Sequence, residues 1–88
     1  MIPDHLHPFF WDIDLADFDP LSHPEYTIAR ILEYGDDKAV IWLRETFSER
    51  EIAKVIRNER RLTPKSANFW AVVYGIPSAE VAGLRQNS

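Results

Sequence analysis

The stretch SEREIAKVIRN, residues 48–58, combines a helix start signal with an amphipathic repeat. Ser48 and Glu51 have the spacing of a capping box, in which each side chain accepts a hydrogen bond from the other residue's backbone amide. Three aliphatic residues follow at helical spacing, Ile52, Val55 and Ile56. This spacing places them on one face of a helix. The stretch therefore predicts an amphipathic α-helix that buries this face in an all-α domain.

Similar signals flank this helix on both sides. Thr63 and Pro64 form a cap and a first-turn proline, and Gly75 stands where helices commonly end. Asp36 or Asp37 is expected to cap a helix that ends near residue 46. The sequence thus predicts four main helices: one over residues 24–34, a second that ends near residue 46, a third that begins after Ser48, and a fourth over about 64–74. Ser78 is expected to cap a short fifth helix. The predicted fold class is a small all-α bundle of four to five helices.

The apolar positions of these helices predict the core. We expect the following residues to be buried: Ile28, Ile31, Leu32, Trp42, Leu43, Ile52, Val55, Ile56, Trp70, Val73 and Ile76. The helix over residues 64–74 is apolar almost all round after Asn68, and such a helix is typically the buried centre of a bundle.

Length and composition restrict the class of protein. A chain of 88 residues holds one domain, and the absence of cysteine excludes disulfides, thiolate zinc sites and thiol catalysis. The longest apolar run, residues 69–74, is far shorter than a membrane span. We therefore expect a soluble cytoplasmic protein. Four prolines between residues 3 and 24 predict an extended arm over residues 1–22, followed by a helical bundle over residues 23–85.

Charge is distributed unevenly along the chain. Residues 1–49 carry a formal charge of -8, whereas residues 50–88 carry +4. This asymmetry predicts that the two halves contact different partners.

The basic half has the order of a helix-turn-helix motif, with a short connector between two predicted helices. Such motifs contact base edges and phosphates from the first turn of the second helix. The candidate DNA-binding residues are Arg57, Arg60, Arg61, Thr63, Lys65, Ser66 and Asn68. The alternative is a solvated basic rim, because only one turn of the second helix is polar.

The acidic half contains an aromatic segment, FFWDIDLADFD, over residues 9–19. In one interpretation its rings fill pockets on a partner while its aspartates face a basic rim. The candidate partner-binding residues are Phe9, Phe10, Trp11, Asp12, Asp14 and Asp17. In the other interpretation the rings cover the protein's own bundle. A calcium loop is rejected, because the required glycine and distal glutamate are missing.

Signals for catalysis and for metal binding are weak. His5, His7 and His23 lack an identifiable fourth ligand, and each of the three glycines is isolated, so no phosphate-binding loop is present. Ser48 and Ser78 are interpreted as helix caps. The sequence therefore predicts a non-enzymatic protein with no metal and no cofactor.

Three segments resemble a family of small uncharacterised bacterial and archaeal proteins. They are RLTPKSANFW at residues 61–70, followed by YGIP at 74–77; FWDID at 10–14; and ILEYGD at 31–36. Members of that family tend to be encoded beside nucleotidyltransferase toxins of the abortive-infection type. The resemblance implies an antitoxin-like protein that binds and neutralises such a toxin. Antitoxins as a class commonly also bind the promoter of their own operon.

Two alternatives to the antitoxin-like role stay open. The first is a dimeric helix-turn-helix transcriptional regulator without a toxin partner. The second is a plain interaction module that forms a homodimer through exposed aromatic residues.

Overall fold

A computed structural model describes residues 3–11, 13 and 18–84 of the chain. It contains four α-helices: α1 (Pro24–Tyr34), α2 (Asp37–Thr46), α3 (Glu49–Asn58) and α4 (Pro64–Tyr74). Three 3₁₀ helices accompany them, at Asp4–Phe10, Ser78–Glu80 and Ala82–Leu84. No strand occurs in the described residues, so the predicted all-α class is confirmed.

The helices begin where the capping signals predict. Ser48 Oγ accepts from the Glu51 amide at 3.1 Å, and Glu51 accepts from the Ser48 amide at 3.0 Å, which completes the capping box. Asp36 caps α2 through the Ala39 amide at 2.9 Å. At the C-terminal end of α4, Gly75 adopts a φ of 68°, in the left-handed region that glycine adopts most readily.

The core lies between the four helices, where α1 packs on α2, α3 and α4, and α3 packs on α4. Nine of the eleven predicted core residues are buried. Trp42 is only partly buried, and Val73 is exposed. The prediction that α4 is buried all round is wrong, because its neighbours cover one side and leave Phe69, Val72 and Val73 exposed.

The N-terminal segment differs from the predicted extended arm over the residues that can be described. Asp4–Phe10 forms a 3₁₀ helix, and its Leu6 and Phe10 side chains are buried in the core. These two side chains supply apolar area that a domain of this size needs. Asp12, Asp14 and Asp17 lie outside the described residues.

The C-terminal segment contains two three-residue 3₁₀ helices in place of the predicted fifth helix. Ser78 is the first residue of one of them, so Pro77 occupies the N-cap position in place of Ser78. Val81 is nevertheless fully buried, and it anchors the segment to the core.

The connector between α3 and α4 occupies residues 59–63. The two helices pack against each other, but helix pairs joined by short turns are common in all-α proteins. The helix-turn-helix assignment therefore stays a prediction. Within the described ranges, no helix combines the length and the apolar character that a membrane crossing requires.

Candidate functional site

An aromatic and arginine cluster covers one face of α1. Tyr26, Arg30 and Tyr34 are spaced four residues apart, so they share this face. The Arg30 guanidinium lies 4.4 Å from the centroid of the Trp11 ring, and its Nε donates to the Phe9 carbonyl at 2.8 Å. Arg30 thus joins the end of the N-terminal 3₁₀ helix to α1 by a hydrogen bond and by cation–π attraction.

Two rings of this cluster face solvent. Trp11 is 62% exposed and Tyr34 is 48% exposed. Their ring centroids lie 5.0 Å apart at an interplanar angle of 75°, an edge-to-face contact that aromatic pairs favour. The Arg30 guanidinium lies against both rings, 4.4 Å from the Trp11 centroid and 5.6 Å from the Tyr34 centroid, so the two rings form one exposed aromatic surface.

Arg61 closes the other side of the cluster. Its guanidinium lies 5.7 Å from the Tyr26 ring, and its Nη2 donates to Glu59 at 2.9 Å. The hydrogen bond between the side chains lowers the pKa of Glu59 and raises the pKa of Arg61. A shallow cavity of about 160 Å³ lies between Arg61 and α1, lined by Tyr26, Ala29, Arg30, Glu33, Tyr34 and Arg61.

The structure divides the predicted partner-binding residues between core and surface. Phe10 is buried, with ring centroids 5.4 Å from Phe18 and 6.1 Å from Tyr26. Phe9 is partly buried against the core, whereas Trp11 is exposed. Phe10 therefore covers the protein's own bundle, whereas Trp11 is exposed and its role in partner binding stays a prediction.

Six of the predicted DNA-binding residues lie in the connector or in the first five residues of α4, and Arg57 lies in the last turn of α3. A carboxylate already occupies the N-terminus of α4. Thr63 donates to Glu33 from its amide at 2.9 Å and from its hydroxyl at 3.0 Å. Thr63 Oγ1 also accepts from the Ser66 amide at 3.3 Å, as an N-cap. A helix N-terminus attracts phosphate through its amides and its dipole, and here Glu33 supplies the negative charge.

The other predicted DNA-binding residues split into paired and exposed groups. Arg57 donates to Glu80 at 3.2 Å, and Arg61 is paired with Glu59. Three polar residues remain exposed without a described ion-pair partner on or beside the first turn of α4: Arg60, Lys65 and Asn68. Any contact with phosphate at this end of α4 would compete with the nearby glutamates.

The histidines are dispersed among the described residues. His7 lies 3.7 Å from Asp4, and the His23 ring stacks on Phe18 with centroids 5.7 Å apart. Nowhere in the described residues do three or more His, Cys, Asp or Glu side chains form a group that could hold a metal ion.

An exposed apolar surface on α2 and α4 was missed by the sequence analysis. We call this the α2–α4 surface and define it by Ile41, Phe69, Val72 and Val73, which are between 46% and 72% exposed. Ile41, Phe69 and Val73 line one groove between the two helices. The all-round apolar composition of α4 indicated burial, and nothing in its own sequence distinguishes the covered side from the open one.

Comparison with known proteins identifies the family of the chain. The chain belongs to the family of unknown function DUF6922, whose profile matches residues 6–56. The match includes the FWDID and ILEYGD segments and ends before RLTPKSANFW. No curated protein and no solved structure matches the chain.

Proposed function

We propose that this chain is a non-enzymatic, antitoxin-like protein that binds and neutralises a nucleotidyltransferase-type toxin. The toxin class rests on the resemblance described above, because the matching family has no known function. The observation that carries the binding role is the exposed pair of Trp11 and Tyr34, which Arg30 holds on the acidic half of the chain. Exposed aromatic anchors of this kind contribute much of the affinity in protein interfaces.

Charge supports this choice of partner. Nucleotidyltransferases bind anionic nucleotides and RNA in basic clefts, and residues 1–49 of this chain carry a formal charge of -8. Opposite charge speeds association and favours the correct partner. Trp11 would enter such a cleft as an anchor, and Asp12, Asp14 and Asp17, which follow it in the sequence, contribute to the negative charge of this segment.

The test is affinity purification of the tagged chain from its native host at low salt, with and without nuclease, followed by mass spectrometry. We expect a stoichiometric nucleotidyltransferase that survives nuclease treatment. Trp11→Ala should release it, whereas the matched control Phe69→Ala removes an exposed ring from the α2–α4 surface and should retain it. If the tagged chain is recovered without any nucleotidyltransferase, the toxin assignment is contradicted. If Phe69→Ala releases the nucleotidyltransferase and Trp11→Ala does not, the assignment of binding to Trp11 is contradicted.

Operator DNA is a second candidate ligand, favoured by the exposure of Arg60, Lys65 and Asn68 around the start of α4. Arg60→Ala combined with Lys65→Ala should then weaken salt-sensitive binding to the upstream DNA by about tenfold or more, since phosphate contacts supply most of the affinity. The control Lys38→Ala with Arg50→Ala removes the same charge from α2 and α3. Equal effects of the two double variants would indicate a general charge effect and contradict a site on α4.

A further inference from the structure

Trp11 is a large ring that lies outside the core at the end of the N-terminal 3₁₀ helix. It is 62% exposed, whereas the preceding residue, Phe10, is buried. An exposed side chain usually samples several rotamers, and a partner that selects one of them loses part of the binding free energy as side-chain entropy. Contacts that restrict the Trp11 ring in the free chain therefore strengthen its binding to a partner.

Two side chains of α1 restrict the Trp11 ring. The Arg30 guanidinium lies 4.4 Å from its centroid, and the Tyr34 centroid lies 5.0 Å from it in an edge-to-face contact. Arg30 and Tyr34 are four residues apart, so they stand side by side on α1. The orientation of Trp11 is thus set by a helix outside its own segment.

Arg30 is itself held by several contacts. Its Nε donates to the Phe9 carbonyl at 2.8 Å, and its guanidinium lies 5.3 Å from the Tyr26 centroid and 5.6 Å from the Tyr34 centroid. Phe9 is two residues before Trp11, so this hydrogen bond also holds the backbone that carries the ring. A lysine would keep the charge but lacks the guanidinium that reaches the carbonyl and the ring at the same time.

We propose that Arg30 is a positioning residue, which docks the segment ending in Trp11 onto α1 and fixes the Trp11 ring in the orientation that a partner contacts. Its effect on binding passes through Trp11. The positioning is a property of the free chain. Its consequence for affinity rests on the proposed binding of a nucleotidyltransferase, so the two parts are tested by separate measurements.

Fluorine NMR of the free chain labelled with 5-fluorotryptophan tests the positioning. The chain has three tryptophans, so Trp11, Trp42 and Trp70 give three signals, and Trp11→Phe identifies the first. Arg30→Lys should move the Trp11 signal toward its position in the denaturant-unfolded chain and leave the other two in place. An unchanged Trp11 signal would overturn the proposal. Movement of all three signals would show that Arg30 only maintains the fold, and would also overturn it.

Arg44→Lys is the matched control for this substitution. The Arg44 guanidinium also lies near an aromatic ring, 5.5 Å from the Tyr74 centroid, but it belongs to α2. The same chemical change at this position should leave the Trp11 signal in place. A Trp11 signal that moves equally in both variants would contradict a specific role of Arg30.

A double-mutant cycle tests the consequence for affinity, with the nucleotidyltransferase recovered with the tagged chain as the partner. Arg30→Lys should raise the dissociation constant by about threefold to tenfold, and should have no further effect in a chain that already carries Trp11→Ala. An equal effect in both backgrounds would overturn the action of Arg30 through Trp11. If no nucleotidyltransferase is recovered, the proposed function fails, and the fluorine signals alone decide whether Arg30 positions Trp11.

Discussion

Trp70 joins α4 to the end of α1 through one buried hydrogen bond. Its Nε1 donates to the Leu32 carbonyl at 2.8 Å. Leu32 lies in the last turn of α1, where carbonyls lack an amide partner within the helix. Trp70 therefore combines the burial of a large ring with satisfaction of a polar group that would otherwise be orphaned.

Substitution of Trp70 separates these two contributions. Trp70→Ala should lower the free energy of unfolding by about 3 to 5 kcal/mol through the cavity it leaves. Trp70→Phe retains an aromatic ring but loses the hydrogen-bond donor, and should lower the free energy of unfolding by about 1 to 3 kcal/mol. Denaturant titration measures both values. A Trp70→Ala variant as stable as the parent would contradict the burial of this side of α4.

Acid stability should depend on Glu59. Its hydrogen bond to Arg61 lowers its pKa below the usual value of 4.5, so the stabilisation it provides is present above that value and is lost as the pH falls through the lowered pKa. Because Arg61 is mostly exposed, the effect should stay below about 1 kcal/mol. Glu59→Gln should lower stability at neutral pH and reduce the loss on acidification.

The measurement for Glu59 is the unfolding free energy by denaturant titration at neutral pH and below the usual carboxylate pKa. Glu49→Gln is the matched control, because Glu49 is exposed and makes no ion pair with a described residue. It should keep the parent's acid profile. A Glu59→Gln variant whose stability falls with acid as steeply as the parent's would rule out this role.

The contacts within the aromatic and arginine cluster on α1 could not be predicted from the sequence. Trp11, Arg30 and Arg61 are far apart in the chain, and nothing in their local sequences indicates that they meet. The spacing of Tyr26, Arg30 and Tyr34 was the one available signal, since it places all three on one face of α1. The hydrogen bonds from Thr63 to the Glu33 carboxylate likewise depend on how α1 packs beside α4, and local sequence patterns do not encode this packing.

At the scale of elements, helix boundaries were the most predictable feature. Capping side chains act within three or four residues, so Asp36, Ser48 and Thr63 could be recognised from the sequence and all three form their capping bonds. The exposed side of α4 could not be recognised, because a helix that is apolar all round has no preferred buried face. The 3₁₀ helix at Asp4–Phe10 was also missed, because Pro8 within it and Pro3 before it indicated extended backbone.

The turn between α1 and α2 depends on Gly35. A Cβ atom at Gly35 would lie 2.6 Å from the Ile31 carbonyl oxygen and 2.9 Å from Ile31 Cγ2. Gly35→Ala should therefore displace the backbone at the end of α1 and cost about 1 to 3 kcal/mol. At Gly83 the nearest atom is 3.5 Å away, so Gly83→Ala is a matched control that should be tolerated. Thermal unfolding compares the two, and equal midpoints would show that the turn can relax.

At the scale of the whole molecule, the described chain presents two separate surfaces. The α1 cluster carries Trp11 and Tyr34, and the α2–α4 surface carries Ile41 and Phe69. The proposed function assigns the first surface to a toxin.

Neutralisation is the property that most directly tests the proposed role. The measurement is transfer of a labelled nucleotide by the nucleotidyltransferase recovered with the chain, at increasing molar ratios of the purified chain. The antitoxin-like role predicts that activity falls to background when one chain is present per toxin molecule, and that Trp11→Ala raises the amount required. Full nucleotidyl transfer in the presence of excess parent chain would contradict neutralisation.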